Sequence, residues 1–337
     1  MVNLLLRMGV DLFEIFLKRK KLPYLVIRYG GLGDLIMTLN LVMALADEKR
    51  VILLTCCHYR EFLAYLDLKN VDYIFVRKSI HSLLSFKELL FSFFSTLNKI
   101  AFRRFDKIFL PYQDLRYRKL CCLSFYSSLI DLHGAKEDSE PYFGKKVLQM
   151  SPWLQHKEMQ IPVAQKRSTK EVLFCLEGNL KTEKGKFLRM WPIEHYVELA
   201  RELILEKIEV IVVLQSKNVE IEKAFLGINM KFFISSSLVE VTKKFQETGC
   251  IVTGDSGLFH LAQLLQVPTV AIFGSTDWKQ RVDDKASKVK IIADGYQLSC
   301  APCYDGKNYR DCPYPHCMAL SSSKKVLKEV LSICQLP

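Results

Sequence analysis

The chain has 337 residues, half of them hydrophobic and a quarter charged, with Lys and Arg exceeding Asp and Glu by 48 to 36 for a net charge of +12. That length and balance exclude a disordered tail, a fibrous repeat and a disulfide-stapled miniprotein, and they leave room for two α/β domains or one large one. The positive surplus suits an anionic partner, whether nucleic acid, a phosphorylated substrate or an acidic membrane face, without choosing among them. Eleven cysteines follow no secretory leader. Cys56-Cys57 and Cys121-Cys122 lie in apolar surroundings and read as buried thiols in a reducing, cytoplasmic compartment.

In chain order, residues 1–22 predict an amphipathic helix. Arg7, Asp11, Glu14 and Lys18 share one stripe, and Lys18-Arg19-Lys20-Lys21 follow. The apolar run is too short and too interrupted to span a bilayer. Such a helix either lies in an anionic membrane interface or docks on the protein's own surface. Residues 24–29, YLVIRY, predict a buried strand that enters Gly30-Gly31-Leu32-Gly33-Asp34, and a helix follows over 35–47. Strand, glycine turn and helix open a doubly wound domain. No Gly-Lys-Ser/Thr follows, so the turn is not a P-loop. Strands are expected at 51–54, 72–76 and 107–110, and helices at 60–66 and 83–102. Tyr112, Arg116, Tyr117, Arg118 and Lys119 interleave basic and aromatic residues. This reads as an acceptor-binding face or as a solvated surface, and no nucleic-acid module accompanies it.

Residues 149–169 are polar, with Pro152 and Pro162, and read as the connection to a second domain. The expected organisation is two domains, over 23–162 and 163–337. The second series has strands at 172–176 and 210–214 and helices at 193–205 and 238–248. A lysine-rich loop lies at 181–186, and Leu188-Arg189-Met190-Trp191-Pro192 precedes the first helix. Residues 251–273, IVTGDSGLFHLAQLLQVPTVAIF, read as strand, tight turn, helix, proline break and strand. Gly254 and Gly257 let backbone approach a ligand with no Cβ between them. A helix opening at Asp255-Ser256-Gly257 presents unpaired N–H groups suited to a phosphate, or is simply capped by those residues.

Four motifs, taken together, resemble glycosyltransferase family 9, the ADP-heptose:lipopolysaccharide heptosyltransferases. They are Ile27–Asp34 (IRYGGLGD), Arg189-Met190-Trp191-Pro192, Gly254–Ala262 (GDSGLFHLA) with Phe273-Gly274-Ser275-Thr276, and the cysteines between Cys300 and Met318. Their order and separation match the family over about residues 23–333. The resemblance implies an α/β fold of the GT-B class, two Rossmann-like domains facing across a cleft, with the acceptor mainly on the first domain and the donor on the second. It implies that Asp34 is the catalytic base beside the acceptor-side loop of Gly30, Gly31 and Gly33. Arg189 stands where the family more often has lysine at the donor phosphates. Ser256, Gly257 and Leu258 would offer N–H groups to the diphosphate, and Asp255 would take sugar hydroxyls. His260 would hold the donor or orient Asp255, while Gly274, Ser275 and Thr276 would close the donor pocket. Asn40 replaces a common proline, and Gln215-Ser216 replaces a usual glycine turn.

The spacing Cys300-x2-Cys303-x8-Cys312-x4-Cys317 reads as a structural zinc or iron site, or as four reduced thiols in a compact loop. Transfer itself is expected to need no cofactor. The expected activity is inverting transfer of a heptose, or a similar sugar, from an ADP-sugar to a lipopolysaccharide core or other lipid-linked saccharide. The expected partners are ADP-heptose, a phosphorylated glycolipid and the inner-membrane surface, with no nucleic acid. The alternatives are another nucleotide-sugar, a protein acceptor, or a degenerate protein that only binds nucleotide-sugar or glycan.

Overall fold

The computed structural model describes residues 22–77, 86–112, 115–131, 143–152, 167–176, 188–283, 287–304, 312 and 314–334. The helix expected over 1–22 and the lysine loop 181–186 lie outside them. The chain divides into two compact units, Met1–Glu140 with Gly144–Met159 and Pro141–Phe143 with Gln160–Pro337. Each is an α/β unit on an all-parallel sheet.

The first unit carries β1 (Tyr24–Ile27), α1 (Leu32–Glu48), β2 (Val51–Cys56), α2 (Arg60–Leu66), β3 (Val71–Val76), α3 (Phe86–Ile100), β4 (Arg104–Leu110), α4 (Leu115–Leu120) and β5 (Phe125–Asp131), with α5 (Phe143–Leu148) at the junction. The strand order is β3-β2-β1-β4-β5. Every residue of β1 and β2 is buried. A strand covered on both faces has no solvent side, so it shows a continuous apolar run instead of alternation. The register pairs Tyr24 with Val51 and Ile27 with Leu54.

The second unit carries β6 (Ser168–Cys175), α6 (Ile193–Leu205), β7 (Glu209–Leu214), α7 (Val219–Ala224), β8 (Lys231–Ile234), α8 (Leu238–Glu247), β9 (Thr248–Gly254), α9 (Gly257–Leu264), β10 (Thr269–Ile272), β11 (Val289–Ile292), α10 (His316–Ala319) and α11 (Ser323–Cys334). Its order is β11-β10-β9-β6-β7-β8. Its core gathers Phe174, Trp191, Tyr196, Val252, Val270, Val326 and Val330. In both sheets the first strand lies between the second and the fourth. The chain therefore reverses direction across the sheet at β1/β4 and at β6/β9. Ligands of open parallel sheets bind beyond the carboxyl ends of strands at such reversals, and the loops after β1 and β9 are the two motifs singled out above.

Several elements differ from expectation. The basic-aromatic stretch after Tyr112 forms α4, and Tyr117 is fully buried. Its hydroxyl accepts the Tyr29 N–H at 3.2 Å, so it is a core residue and not part of a binding face. Of the vicinal cysteines, only Cys56 and Cys121 are buried; Cys57 is half-buried and Cys122 exposed, and all are free thiols. Burial pushes Cys56 up to about 11 and Cys121 up to about 12. Among the described residues no helix is long and apolar enough to cross a membrane.

Candidate functional site

The first unit holds Asp34 in the opening turn of α1. Gly31 caps that helix, and its N–H donates to Asp34 Oδ2 at 3.2 Å. The other carboxylate oxygen lies 2.8 Å from Arg28 Nη2, with Arg28 1% and Asp34 39% exposed. Arg28 is held in turn. Its Nη1 donates to the Pro111 carbonyl at 3.3 Å, and its guanidinium sits 4.9 Å from the Tyr112 ring centre. Since Pro111 follows β4, this side chain ties the ends of the two strands that flank the reversal. The result is a fixed, partly exposed carboxylate on a rigid helix start. Asp34 both completes the helix cap and keeps a partly exposed carboxylate. Gly30 has φ +116, and a Cβ there would stand 2.8 Å from Asp34 Oδ2. Glycine is required both for the backbone angle and for the close approach of the carboxylate. Tyr59 donates its hydroxyl to the Gly30 carbonyl at 3.0 Å. Gly33 is buried inside α1, while Gly31 is exposed. Arg28 is the residue that sequence reasoning quoted without giving it a role.

The second unit holds a charged cluster at the end of β9. Asp255 is 3% exposed. Its Oδ2 lies 3.4 Å from Arg189 Nη1 and 3.7 Å from Arg281 Nε, and its Oδ1 lies 3.9 Å from His260 Nε2. The structure thus brings together Arg189, Asp255, His260 and Thr276 of the expected set and adds Arg281, which no motif indicated. Asp255 spends its carboxylate on these neighbours. Ser256 caps α9, its hydroxyl accepting the Phe259 N–H at 3.3 Å. The backbone N–H groups of the first turn, Gly257 and Leu258 included, have no partner within the helix.

Gly254 has a different reason from the one expected. A Cβ there would come 2.4 Å from the carbonyl oxygen of Arg189, so the missing side chain admits the protein's own backbone, and β9 and the Arg189 segment lock together. Gly254→Ala is expected to cost about 1–3 kcal/mol and to displace the Arg189 segment, read as a lower unfolding midpoint in urea.

Gly274, Ser275 and Thr276 follow β10. A Cβ on Gly274 would meet Cys317 Sγ and Met318 Sδ, each at 2.9 Å. Ser275 and Thr276 are both 1% exposed. The Ser275 carbonyl accepts N–H groups from Cys303 at 3.0 Å and Tyr304 at 3.1 Å. The cysteine loop is therefore the support behind this turn. Among the described residues, which include Cys300, Cys303, Cys312 and Cys317, no set of three or more His, Cys, Asp or Glu side chains is arranged to hold a metal ion. Burial, followed by the neighbouring thiols of Cys303, Cys312 and Cys300, pushes Cys317 up to about 11.

Burial pushes the Asp255 carboxyl up, but Arg189, Arg281, His260 and a hydrogen bond from Thr276 outweigh it and hold it below its ordinary value of 3.8. With the folded value the lower one, Asp255 adds stability above the unfolded value. That stability is lost as pH falls through the folded value. Below about pH 4, the unfolding free energy is expected to fall more steeply with acid in the wild type than in Asp255→Asn; equal slopes would contradict this.

Comparison with known proteins bears on the family and the fold. The model of glycosyltransferase family 9 (heptosyltransferase) matches residues 117–312, more than half of the chain. Over 155 residues the chain is 28% identical to lipopolysaccharide heptosyltransferase 2 of Salmonella typhimurium, an alignment covering 40% of this chain and 44% of that protein. The chain thus spans less than half the length of that curated relative. Among solved structures, an Escherichia coli heptosyltransferase with ADP-2-deoxy-2-fluoro heptose superposes with a TM-score of 0.67 at 12% identity, covering 92% of this chain and 99% of that one. The iron-containing dodecameric glycosyltransferase TibC of enterotoxigenic Escherichia coli superposes with a TM-score of 0.58 at 12% identity, covering 94% and 80%. These likenesses place the two sheets in the GT-B class of α/β folds.

Proposed function

The chain belongs to glycosyltransferase family 9, and from that premise we propose that it transfers a heptose, or a similar sugar, from an ADP-sugar to a lipopolysaccharide core or other lipid-linked saccharide, with inversion at the transferred carbon. The observation that carries this reading is the set at Asp255. Two arginines converge on one buried carboxylate beside the open N-terminus of α9, which is an environment for a diphosphate.

In this reaction Asp34 takes the proton from the acceptor hydroxyl. The hydroxyl oxygen then bonds to the anomeric carbon as the bond from that carbon to the diphosphate breaks. The electron pair leaves on the diphosphate oxygen, and the products are the glycosylated acceptor and ADP. Arg189 and the N–H groups of Ser256, Gly257 and Leu258 stabilise the departing charge, the term on which such a transfer depends most. Arg28 and the Gly31 N–H hold that carboxylate in place. Arginine at 189 still serves in place of lysine, because its fork can engage two phosphate oxygens at once. Gly274, Ser275 and Thr276 wall the donor, and His260 orients Asp255. Residues 23–162 bind the acceptor and residues 163–337 the donor.

The acceptor is a phosphorylated glycolipid at the cytoplasmic surface of an inner membrane, and the net charge of +12 favours that surface. Nucleic acid is not a partner. A panel of nucleotide-sugars tests the donor assignment by their shifts of the melting midpoint. ADP-heptose is expected to give the largest shift, and a uridine- or guanosine-based sugar giving a larger one would overturn the choice of donor.

A further inference from the structure

Three side chains able to carry positive charge surround Asp255, and two of them are permanent cations. Arg189 is 18% exposed and Arg281 17%, against 4% for the Asp255 carboxylate. Among the described residues one carboxylate pairs with both guanidiniums, which leaves positive charge over in a mostly buried place. Buried charges are rare unless paired, because the lost hydration has to be replaced. Among the described residues, Arg189 Nε and Ser275 Oγ are buried with no hydrogen-bond partner, and Ser275, which precedes Thr276 in the chain, is 1% exposed. Surplus positive charge, unspent donors and an open helix start all ask for the same thing, an anion with several acceptor oxygens.

Arg281 is placed by elements outside the recognised motifs. It follows the turn Trp278–Gln280, which Asp277 caps by accepting the Lys279 N–H at 3.0 Å. Its carbonyl accepts from Gln263 Nε2 at 3.0 Å, which fastens it to α9. Its guanidinium lies 5.8 Å from the ring centre of Tyr304. The backbone N–H of that same Tyr304 donates to Ser275. The cysteine loop thus sets both the turn at Ser275 and the position of the arginine.

We infer that Arg281 is the second guanidinium of a diphosphate site in this unit, sharing the anion with Arg189, while Asp255 is the internal counter-ion that holds both arginines in place when the site is empty. Tyr304 is a positioning residue for Arg281. The assignment rests on the donor reading of this unit, and it names a residue that the family motifs do not supply.

Calorimetric titration of the full chain with inorganic pyrophosphate, ADP and adenosine separates the possibilities. In Arg281→Met, affinity for pyrophosphate and for ADP is expected to fall about tenfold to a hundredfold, with adenosine unaffected. Arg281→Lys, which keeps the charge and loses the fork, is expected to lose less, and so is Tyr304→Leu. Pyrophosphate affinity equal to wild type in Arg281→Met overturns the inference. An equal loss for adenosine also overturns it, because that marks a general collapse of the unit. Should the wild type bind pyrophosphate in an Arg281-dependent way and yet not bind ADP, the diphosphate site stands and the ADP-sugar donor falls.

Discussion

Asp34→Asn is expected to lower sugar transfer by about 10³-fold while leaving donor affinity unchanged. The substitution keeps the shape of the side chain and its acceptor oxygen. Asparagine can still accept the Gly31 N–H that now donates at 3.2 Å, so the start of α1 survives. What it loses is the capacity to take a proton. It also removes the charge that faces Arg28, 1% exposed, at 2.8 Å, and some loss of stability follows from that. The two effects separate in the measurements. A base defect lowers kcat at saturating acceptor, whereas a folding defect lowers the amount of folded protein and is seen by chemical denaturation. Transfer at the wild-type rate would remove Asp34 from the chemistry.

Trp191→Ala is expected to destabilise the chain by about 3–5 kcal/mol, the largest single effect on stability. The indole is fully buried. It packs edge-on against Tyr196 with ring centres 4.8 Å apart, and its Nε1 donates to the Ser321 carbonyl at 2.7 Å. That hydrogen bond joins the start of α6 to the segment leading into α11. Removing the ring opens a cavity and orphans a buried carbonyl. Arg189 stands two residues before, so the same tryptophan fixes the segment from which the guanidinium paired with Asp255 projects. Urea unfolding measures the cost. Trp191→Phe is expected to recover most of the packing and to lack only the hydrogen bond, about 1 kcal/mol. A Trp191→Ala protein within that last margin of wild type would contradict the packing account.

The legible parts of the sequence were those where one physical cause dominates. β1, β2, β9 and β10 are buried along their whole length, so their apolar runs stand out, and the glycine turns after β1 and β9 mark their ends. Two edge strands, β5 and β8, were harder to read. β5 opens with the exposed Phe125 and Tyr126, and β8 begins and ends exposed. With one flank unpaired and a face in water, such strands lose the continuous run that identifies their neighbours. α4 and α7 have six residues each, under two turns, too few for a helical period to show. α11 is amphipathic, with Val326 and Val330 inward, and it was obscured by the lysines around it.

The candidate site divides in the same way. Motif residues close in sequence, such as Asp255 through His260, could be placed from the chain alone. The pairing of Arg28 with Asp34 was within reach, six residues apart on either side of a known turn. Arg281 was not. It is one of 48 basic residues, and only folding brings it to a carboxylate 26 positions earlier. Gly254 was identified as a place of close approach, but what approaches is the Arg189 carbonyl, a long-range contact that no local pattern encodes.

Transfer itself is the most direct test. Wild-type protein and Asp34→Asn are incubated with ADP-heptose and a heptose-accepting lipid-linked saccharide, and ADP release is followed alongside the mass of the acceptor. The account predicts one ADP per glycosylated acceptor in the wild type and neither product above background in the variant. A wild-type protein that binds ADP-heptose but yields neither ADP nor extended acceptor would contradict it, and would leave a sugar-nucleotide binder on a transferase fold.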